Sequence, residues 1–179
     1  MTELTGLNYL AIDPGTTASG YCCAVMTPRV FSIQRAGKLD NEQLRILLKS
    51  HPWGAWDWVI FEKFQYFQGR PAGDEVFNSV LWTGRFIEAL GAGQSWATQR
   101  RQVMSSHICG VGNAKDAQVR GAMVERLGPY GLKKDPGPMY GIRPGDAVLA
   151  LAHLVAYVER SNPQVIIDQE NLEIQGLRP

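Results

Sequence analysis

The sequence predicts a single α/β domain built on a mixed β-sheet that is flanked by helices. An apolar run at residues 7–12 is typical of a strand buried on both faces. Two further runs rich in β-formers, at residues 21–26 and 29–36, indicate a hairpin that continues from this strand. Amphipathic helices then alternate with short strands, a pattern that favours parallel crossovers.

Each later element has its own local signal. Asp40 is a good cap for a helix over residues 41–50, and residues 57–61 form a fourth apolar strand. A helix over residues 74–90 contains Gly84, which is unfavourable there by roughly 1 kcal/mol and therefore predicts close packing, by the sheet or by a second subunit. The remaining elements are a fifth strand at 94–98, a short helix to about residue 107, a helix at 114–127, a loop rich in Gly and Pro at 128–145, and an almost wholly apolar helix at 146–160.

Composition limits the possible classes of protein. The chain has 179 residues, of which 45% are hydrophobic and 20% charged, as expected for one soluble globular domain. It has no apolar run long enough to cross a membrane and no signal peptide, so we expect a cytoplasmic protein. Cys22, Cys23 and Cys109 lack the spacing of zinc ligands and are expected to be free thiols.

The expected domain spans residues 1–161, and residues 162–179 are expected to form a polar C-terminal tail. Charge is uneven along the chain, because residues 100–143 contain 8 Lys and Arg against 3 Asp and Glu. Such a segment is typical of a protein that binds nucleic-acid phosphates, and a solvated charged face is the alternative. The candidate DNA-binding cations are Arg100, Arg101, Lys115, Arg120, Lys133 and Lys134.

Three acids stand at the ends of apolar elements. Asp13 follows the first strand, Glu62 ends the fourth, and Asp146 opens the last helix. A buried ionised carboxylate without a partner costs several kcal/mol, so these positions call for a cation or a hydrogen-bond network. If the two strands are parallel, both of their acids emerge at one edge of the sheet. The simpler alternatives are a turn for Asp13 and a helix-dipole contact for Asp146.

Three aromatic residues follow Glu62, namely Phe64, Tyr66 and Phe67. They either pack within their own loop or stack on bases at a distorted nucleic-acid site. His153 lies about 10 Å along the helix axis from Asp146, and we interpret it as a core histidine.

Four segments, in this order and at these separations, resemble the RuvC family of Holliday-junction resolvases: DPGTTASGY, FEKF, QVMSSHICGVGNAKDAQVRGAMV and GDAVLALAH. The similarity covers about residues 7–157. The resemblance implies an RNase H-like fold, with a five-stranded mixed sheet flanked by α-helices. It also implies a homodimer that binds a four-way DNA junction and makes paired, symmetric nicks, which leave 5′-phosphate and 3′-hydroxyl ends.

The same resemblance implies a two-metal site. Asp13, Glu62 and Asp146 match the family's catalytic acids and would bind two Mg²⁺ or Mn²⁺ ions, with Asp13 bridging both. Where the family usually has an Asp or His, three residues before the last-helix aspartate, this chain has Arg143, which cannot bind a metal. Arg143 is instead a candidate catalytic contact to the scissile phosphate.

The fourth metal ligand is left open by this departure. His153, Asp116 or solvent are the alternatives to a phosphate contact by Arg143.

Three other functions remain open. DPGTT also resembles the phosphate loop of sugar kinases and actin-like proteins, but that superfamily generally needs two such domains and a second phosphate loop. A junction-binding module without activity is a second alternative, against which the three intact acids argue. The third is an RNase H-like nuclease that acts on RNA or on other branched DNA, such as forks and flaps.

Overall fold

The computed structural model describes residues 6–51, 55–65, 72–142 and 145–174. Its first elements are the predicted antiparallel meander β1 (Leu7–Asp13), β2 (Ala18–Met26) and β3 (Phe31–Asp40). The later elements are α1 (Asn41–Ser50), β4 (Trp58–Lys63), α2 (Asp74–Leu90), β5 (Trp96–Arg100), α3 (Arg101–Cys109), α4 (Asp116–Leu127), β6 (Gly131–Leu132), β7 (Asp135–Pro136), α5 (Asp146–Ser161) and β8 (Leu172–Ile174).

The main sheet has the strand order β5-β4-β1-β2-β3-β8. Strands β1, β4 and β5 are parallel to one another, so the predicted mixed sheet is confirmed. It has six strands rather than five, because β8 pairs in parallel with β3. Part of the segment predicted as a tail therefore contributes an edge strand, and Ile167 in the same segment is fully buried.

Helices cover both faces of the sheet. Tyr9 and Ala11 of β1 belong to the hydrophobic cluster formed with α5, whereas Leu10 and Ile12 belong to the cluster formed with α1 and α2. Strand β1 is thus buried on both faces, as its apolar run predicts. Residues 147–156 of α5 are all buried, because α3 and α4 cover this helix on the side away from the sheet.

The buried carboxylate of Glu159 joins three helices. Glu159, near the end of α5, accepts hydrogen bonds from Arg126 of α4 and from Nε2 of His107 of α3, the latter at 2.6 Å. It also accepts a 2.6 Å bond from the backbone N–H of Ile167. Its charge is therefore paired and hydrogen-bonded, which a buried carboxylate requires.

A β-bulge alters the direction of side chains in β3. The register between β2 and β3 shifts between Cys23 and Ala24, and Gln34 is the extra residue in β3. An extra residue inverts the alternation of faces along a strand. Ile33 before the bulge and Lys38 after it consequently lie on the same face, the one covered by α5.

Several local expectations are corrected. Strand β3 extends to Asp40, beyond its predicted end, because it stays paired with β2 as far as Ala18. The predicted loop over residues 128–145 contains the β6–β7 hairpin and buries Met139. Gly84 does not pack against the sheet, since no described atom lies within 4 Å of the place where its Cβ would stand.

The three cysteines are free thiols, as expected, with Cys22 and Cys23 buried and Cys109 partly buried. Among the described residues, no helix combines the length and the apolarity needed to cross a bilayer.

Gly20 of β2 lets α5 approach the sheet closely. A Cβ at this position would lie 2.3 Å from the backbone oxygen of Asp146. Since backbone atoms must move to relieve this clash, we expect Gly20→Ala to lower the free energy of unfolding by about 1–3 kcal/mol. Urea denaturation measures the change.

Gly121→Ala is the matched control, because Gly121 is exposed in α4 and no described atom lies near its Cβ position. This substitution should raise the free energy of unfolding by about 0.5–1 kcal/mol. Equal effects of the two substitutions would contradict the close approach at Gly20.

Candidate active site

One row of cross-strand neighbours carries the candidate site. Asp13 at the end of β1 pairs with Gly20, and Gly20 pairs with Lys38 of β3. On the other side of β1, the parallel register with β4 brings Glu62 beside Asp13, and Glu62 pairs with Gln99 of β5. The row therefore reads Lys38, Gly20, Asp13, Glu62, Gln99, and it lies on the face of the sheet covered by α5.

Asp146 completes an acidic cluster with two members of this row. It is the first residue of α5, and its backbone lies directly over Gly20. The negative charges of Asp146 and Glu62 both act on Asp13. The structure thus brings together the three acids that the sequence singles out, and we call them the acidic cluster (Asp13, Glu62, Asp146).

Hydrogen bonds hold the loop that follows Asp13. Ser19 donates a 2.6 Å bond to the side chain of the buried Asn41, and Asn41 donates in turn to the carbonyl of Gly15 at 3.0 Å. The backbone N–H of Asn41 also bonds the carbonyl of Thr17. The first turn of α1 thereby fixes the loop and with it the end of β1.

Asp13 is in an environment that disfavours its charge. Burial raises its pKa well above the ordinary value, and the nearby carboxylates of Glu62 and Asp146 raise it further, while Arg101 acts in the opposite direction. Asp13 and Glu62 also share a hydrogen bond. Without a cation in the cluster, Asp13 therefore retains its proton more readily than an exposed aspartate does.

The pKa of Glu62 moves in the opposite direction to that of Asp13. Burial opposes ionisation, yet the pKa of Glu62 is lowered, because His153 donates a hydrogen bond to it and Asp13 and Arg101 add further stabilisation. The bond joins Nε2 of His153 to Oε2 of Glu62 at 3.1 Å, and Nη1 of Arg101 lies 4.0 Å from the same oxygen.

His153 is a buried core residue, as expected, but it also supports the site. The side-chain amide of Gln99 donates two hydrogen bonds to His153, one to Nδ1 at 3.3 Å and one to the backbone oxygen at 3.1 Å. Since Nδ1 accepts from Gln99, Nε2 is the nitrogen that donates to Glu62. Neither ring nitrogen is left for a metal in this arrangement.

Two cations flank the acidic cluster. Nζ of Lys38 lies 2.5 Å from Oδ2 of Asp146 at one end of the row. At the other end Arg101 pairs with Asp116 as well as approaching Glu62. Asp116, one alternative for the fourth metal ligand, is thus bonded to an arginine.

The donor set suits a hard divalent cation, although the side chains are not arranged as a finished metal site. Within the described residues no three side chains of His, Cys, Asp or Glu have the geometry of a metal centre. Asp146 is bonded to Lys38, and the negative charges of two other acids disfavour ionisation of Asp13. Mg²⁺ or Mn²⁺ favours carboxylate oxygens and would relieve that repulsion, so the residues fit such an ion once Asp146 leaves Lys38.

A cavity of about 460 Å³ opens beside Glu62. Phe64, Val76 and Ala114 give it apolar walls, and Arg101 and Asn113 add polar groups. Phe64, one of the predicted aromatic contacts, therefore lies next to the acidic cluster. Tyr66, Phe67 and the predicted catalytic Arg143 lie outside the described residues.

The other predicted DNA contacts are spread over the surface. Arg100 and Lys115 are exposed at the N-terminal ends of α3 and α4, and Arg120 is half-buried one turn into α4. Lys133 and Lys134 are exposed in the turn of the β6–β7 hairpin, and neither forms an ion pair with the three acids of the cluster. Of the six cations, Arg101 is the one that the structure brings to the acids.

Sequence reasoning did not identify Lys38, Gly20 or Gln99 as site residues. A charged residue in the middle of a strand was the available signal for Lys38, but the bulge at Gln34 conceals which face it occupies. Gly20 and Gln99 become recognisable only when the strand register is known.

The environment of Asp13 leads to a pH-dependent stability. The pKa of Asp13 is raised in the folded protein, so at pH values above the ordinary carboxyl pKa the folded state binds more protons than the unfolded state. The free energy of unfolding therefore falls as the pH rises. Asp13→Asn removes this penalty. We expect the variant, in EDTA, to match the wild type near pH 4 and to be more stable than it at pH 8, as measured by urea denaturation. A wild type that gains on the variant as pH rises would contradict this assignment.

Comparison with known proteins agrees with this architecture. No protein-family model and no curated protein sequence matches the chain. Among solved structures, Thermus thermophilus RuvC superimposes with a TM-score of 0.60 at 17% identity, over 88% of this chain and 96% of RuvC. RuvC in complex with a Holliday junction substrate gives the same values.

The yeast mitochondrial Holliday junction resolvase Ydc2 superimposes with a TM-score of 0.59 at 12% identity, over 88% of this chain and 81% of Ydc2. Identities this low establish the fold alone. The resemblance predicted from the sequence motifs is confirmed at that level: the chain has the RNase H-like fold of the RuvC-type Holliday-junction resolvases.

Proposed function

We propose that this protein is a metal-dependent endonuclease that resolves four-way DNA junctions by paired, symmetric nicking. The observation that carries the proposal is the acidic cluster at the C-terminal edge of β1 and β4, on a fold shared with Holliday-junction resolvases. Three carboxylates gathered at one point are costly unless a cation or a reacting group uses them. In a metal-dependent nuclease, such carboxylates bind the divalent ions that take part in the reaction.

Asp13, Glu62 and Asp146 would bind two Mg²⁺ or Mn²⁺ ions. In the row, Asp13 lies between Glu62 and Gly20, the residue over which Asp146 stands, and it would contact both ions. When bound, such ions lower the pKa of an attacking water and stabilise the leaving 3′ oxygen. His153 keeps the Glu62 carboxylate oriented, which second-shell partners commonly do for metal ligands.

Other groups of the chain would position the DNA. Arg101, 28% exposed beside Glu62, is available to a phosphate of the cleaved strand. The cavity beside Glu62 offers Phe64 for contact with an unstacked base. The phosphate contact of Arg143, and DNA contacts by Tyr66, Phe67, Arg100, Lys115, Arg120, Lys133 and Lys134, remain predictions of the same proposal.

A homodimer would supply the second active site for a paired nick. Helix α2 buries Phe86 and Leu90 in its second half, but Phe77, Val80 and Leu81 in its first half are 64%, 49% and 53% exposed. These three residues share one face of the helix, and exposed Gly84 continues that face. An exposed apolar face of this kind, with a small residue that permits close approach, favours contact with a second copy of the chain.

Cleavage of a synthetic mobile four-way junction tests the proposed activity. With each strand labelled in turn, the wild type in Mg²⁺ or Mn²⁺ should nick two strands of like polarity at symmetry-related positions, and DNA ligase should seal the products. Asp13→Asn should lower the cleavage rate by at least about a thousandfold, because the central metal ligand is lost. It should still shift the junction on a gel.

Other results would replace the proposal with a specific alternative. Junction binding without cleavage in either metal would indicate a non-catalytic binding module. Single nicks on forks or flaps, or cleavage of RNA, would indicate a different RNase H-like nuclease. Cleavage unaffected by Asp13→Asn would exclude the acidic cluster as the catalytic site.

A charged substitution tests whether the exposed apolar face of α2 is the dimer interface. Leu81→Glu should raise the dimer dissociation constant at least about a hundredfold, because it buries an unpaired carboxylate in the interface. Sedimentation velocity measures the shift from dimer to monomer. Ile166→Glu, at a position 65% exposed outside α2, is the matched control and should leave the dimer intact. A Leu81→Glu variant that remains dimeric would place the interface elsewhere.

A further inference from the structure

Lys38 occupies the end of the cross-strand row, opposite to Arg101. Its ammonium lies 2.5 Å from Oδ2 of Asp146, with the lysine side chain 55% exposed and the aspartate side chain 36% exposed. This contact is the one ion pair that Lys38 makes within the described residues. Neither the sequence motifs nor the proposed chemistry assigns it a role.

The fold places Lys38 there by two specific features. The bulge at Gln34 moves Lys38 to the face covered by α5, and Gly20 beside it has no side chain to separate it from Asp146. In an unbulged strand of the same sequence, Lys38 would point to the face of α1 and α2.

The two cations at the cluster are held differently. Arg101 is anchored by Asp116 as well as directed at Glu62, so it keeps its position when Glu62 changes partners. Lys38 has a flexible four-carbon stem and a single carboxylate partner. An exposed pair of this kind is a weak interaction, which a divalent cation on the same carboxylate readily replaces.

We propose that Lys38 is an exchangeable counter-ion of the active site. It binds Asp146 while the acidic cluster holds no metal, gives way when a divalent cation binds, and is then free to contact a phosphate of the bound DNA strand. The proposal rests on the proposed function, since it assigns a role within the same metal and DNA site.

The exchange has a direct electrostatic consequence. A divalent ion at Asp146 must displace a positive charge that lies within bonding distance of its own ligand. Removing that charge should therefore strengthen metal binding, whereas removing a charge that merely steers DNA would not. This difference distinguishes an exchangeable counter-ion from an ordinary DNA-binding lysine.

Mn²⁺ binding to the DNA-free protein tests the first step, with free Mn²⁺ followed by electron paramagnetic resonance. We expect Lys38→Met to bind Mn²⁺ about tenfold more tightly than the wild type. Lys38→Arg retains the charge and should bind within about threefold of the wild type. Lys49→Met is the matched control, because Lys49 is exposed in the last turn of α1, away from the row, and its loss should not change the affinity.

Equal or weaker Mn²⁺ binding by Lys38→Met would overturn the proposal. Thermal unfolding in EDTA verifies that each variant is folded, and Asp146→Asn, which should bind Mn²⁺ more weakly, verifies that the ion occupies the acidic cluster. Because this experiment uses no DNA, its result is separate from the cleavage assay. A wild type that cleaves junctions while Lys38→Met leaves Mn²⁺ affinity unchanged would reject the exchange and retain the proposed function.

The salt dependence of junction binding tests the second step. With Ca²⁺ in place of Mg²⁺ to slow the chemistry, a freed Lys38 adds one phosphate contact, so the plot of log Kobs against log salt should be less steep by about 0.9 for Lys38→Met than for the wild type. In EDTA the two slopes should agree, because Lys38 then remains on Asp146. Equal slopes in both conditions would exclude the phosphate contact.

Discussion

The repulsion among three carboxylates is the constraint on which the rest of this structure depends. Asp13 and Glu62 end neighbouring parallel strands, and Asp146 is held over them by the start of α5. Their charges cannot all be accommodated without compensation, and the surrounding side chains provide it unequally. Glu62 receives a hydrogen bond from His153, Asp146 receives the ammonium of Lys38, and Asp13 keeps an environment that favours its proton. Asp13 is thus the acid whose charge the surrounding side chains compensate least.

Much of this arrangement could be predicted from the sequence, because it depends on local pattern. Buried strands that end in an acid indicate where Asp13 and Glu62 lie, and an apolar helix that begins with Asp146 indicates the third position. A helical crossover makes β1 and β4 parallel, which brings the strand acids to one edge. These steps use only periodicity, chain connectivity and the cost of burying charge.

The features that could not be predicted depend on pairing between distant segments. Lys38 reaches the site because of a single extra residue in β3, and no periodicity of the sequence marks that residue. Strand β8 is short, and it becomes recognisable only through its pairing with β3. The apolar residues in the first half of α2 follow helical spacing, as core residues do, yet they face solvent in the single chain. In each case the sequence specifies the element, and the partner decides its role.

The cluster around Glu159 has a consequence for how the helices of this protein unfold. Separating α4 from α5, or releasing the segment at Ile167, would expose a carboxylate that is otherwise bonded to Arg126, His107 and a backbone amide. Loss of one such partner leaves a buried charge unsatisfied, so the three helices behave as one cooperative unit rather than as independent parts. Residue 146 at one end of α5 and the surface of α3 and α4 are therefore mechanically connected. Asp146 is therefore expected to stay over the sheet for as long as this unit of three helices stays folded.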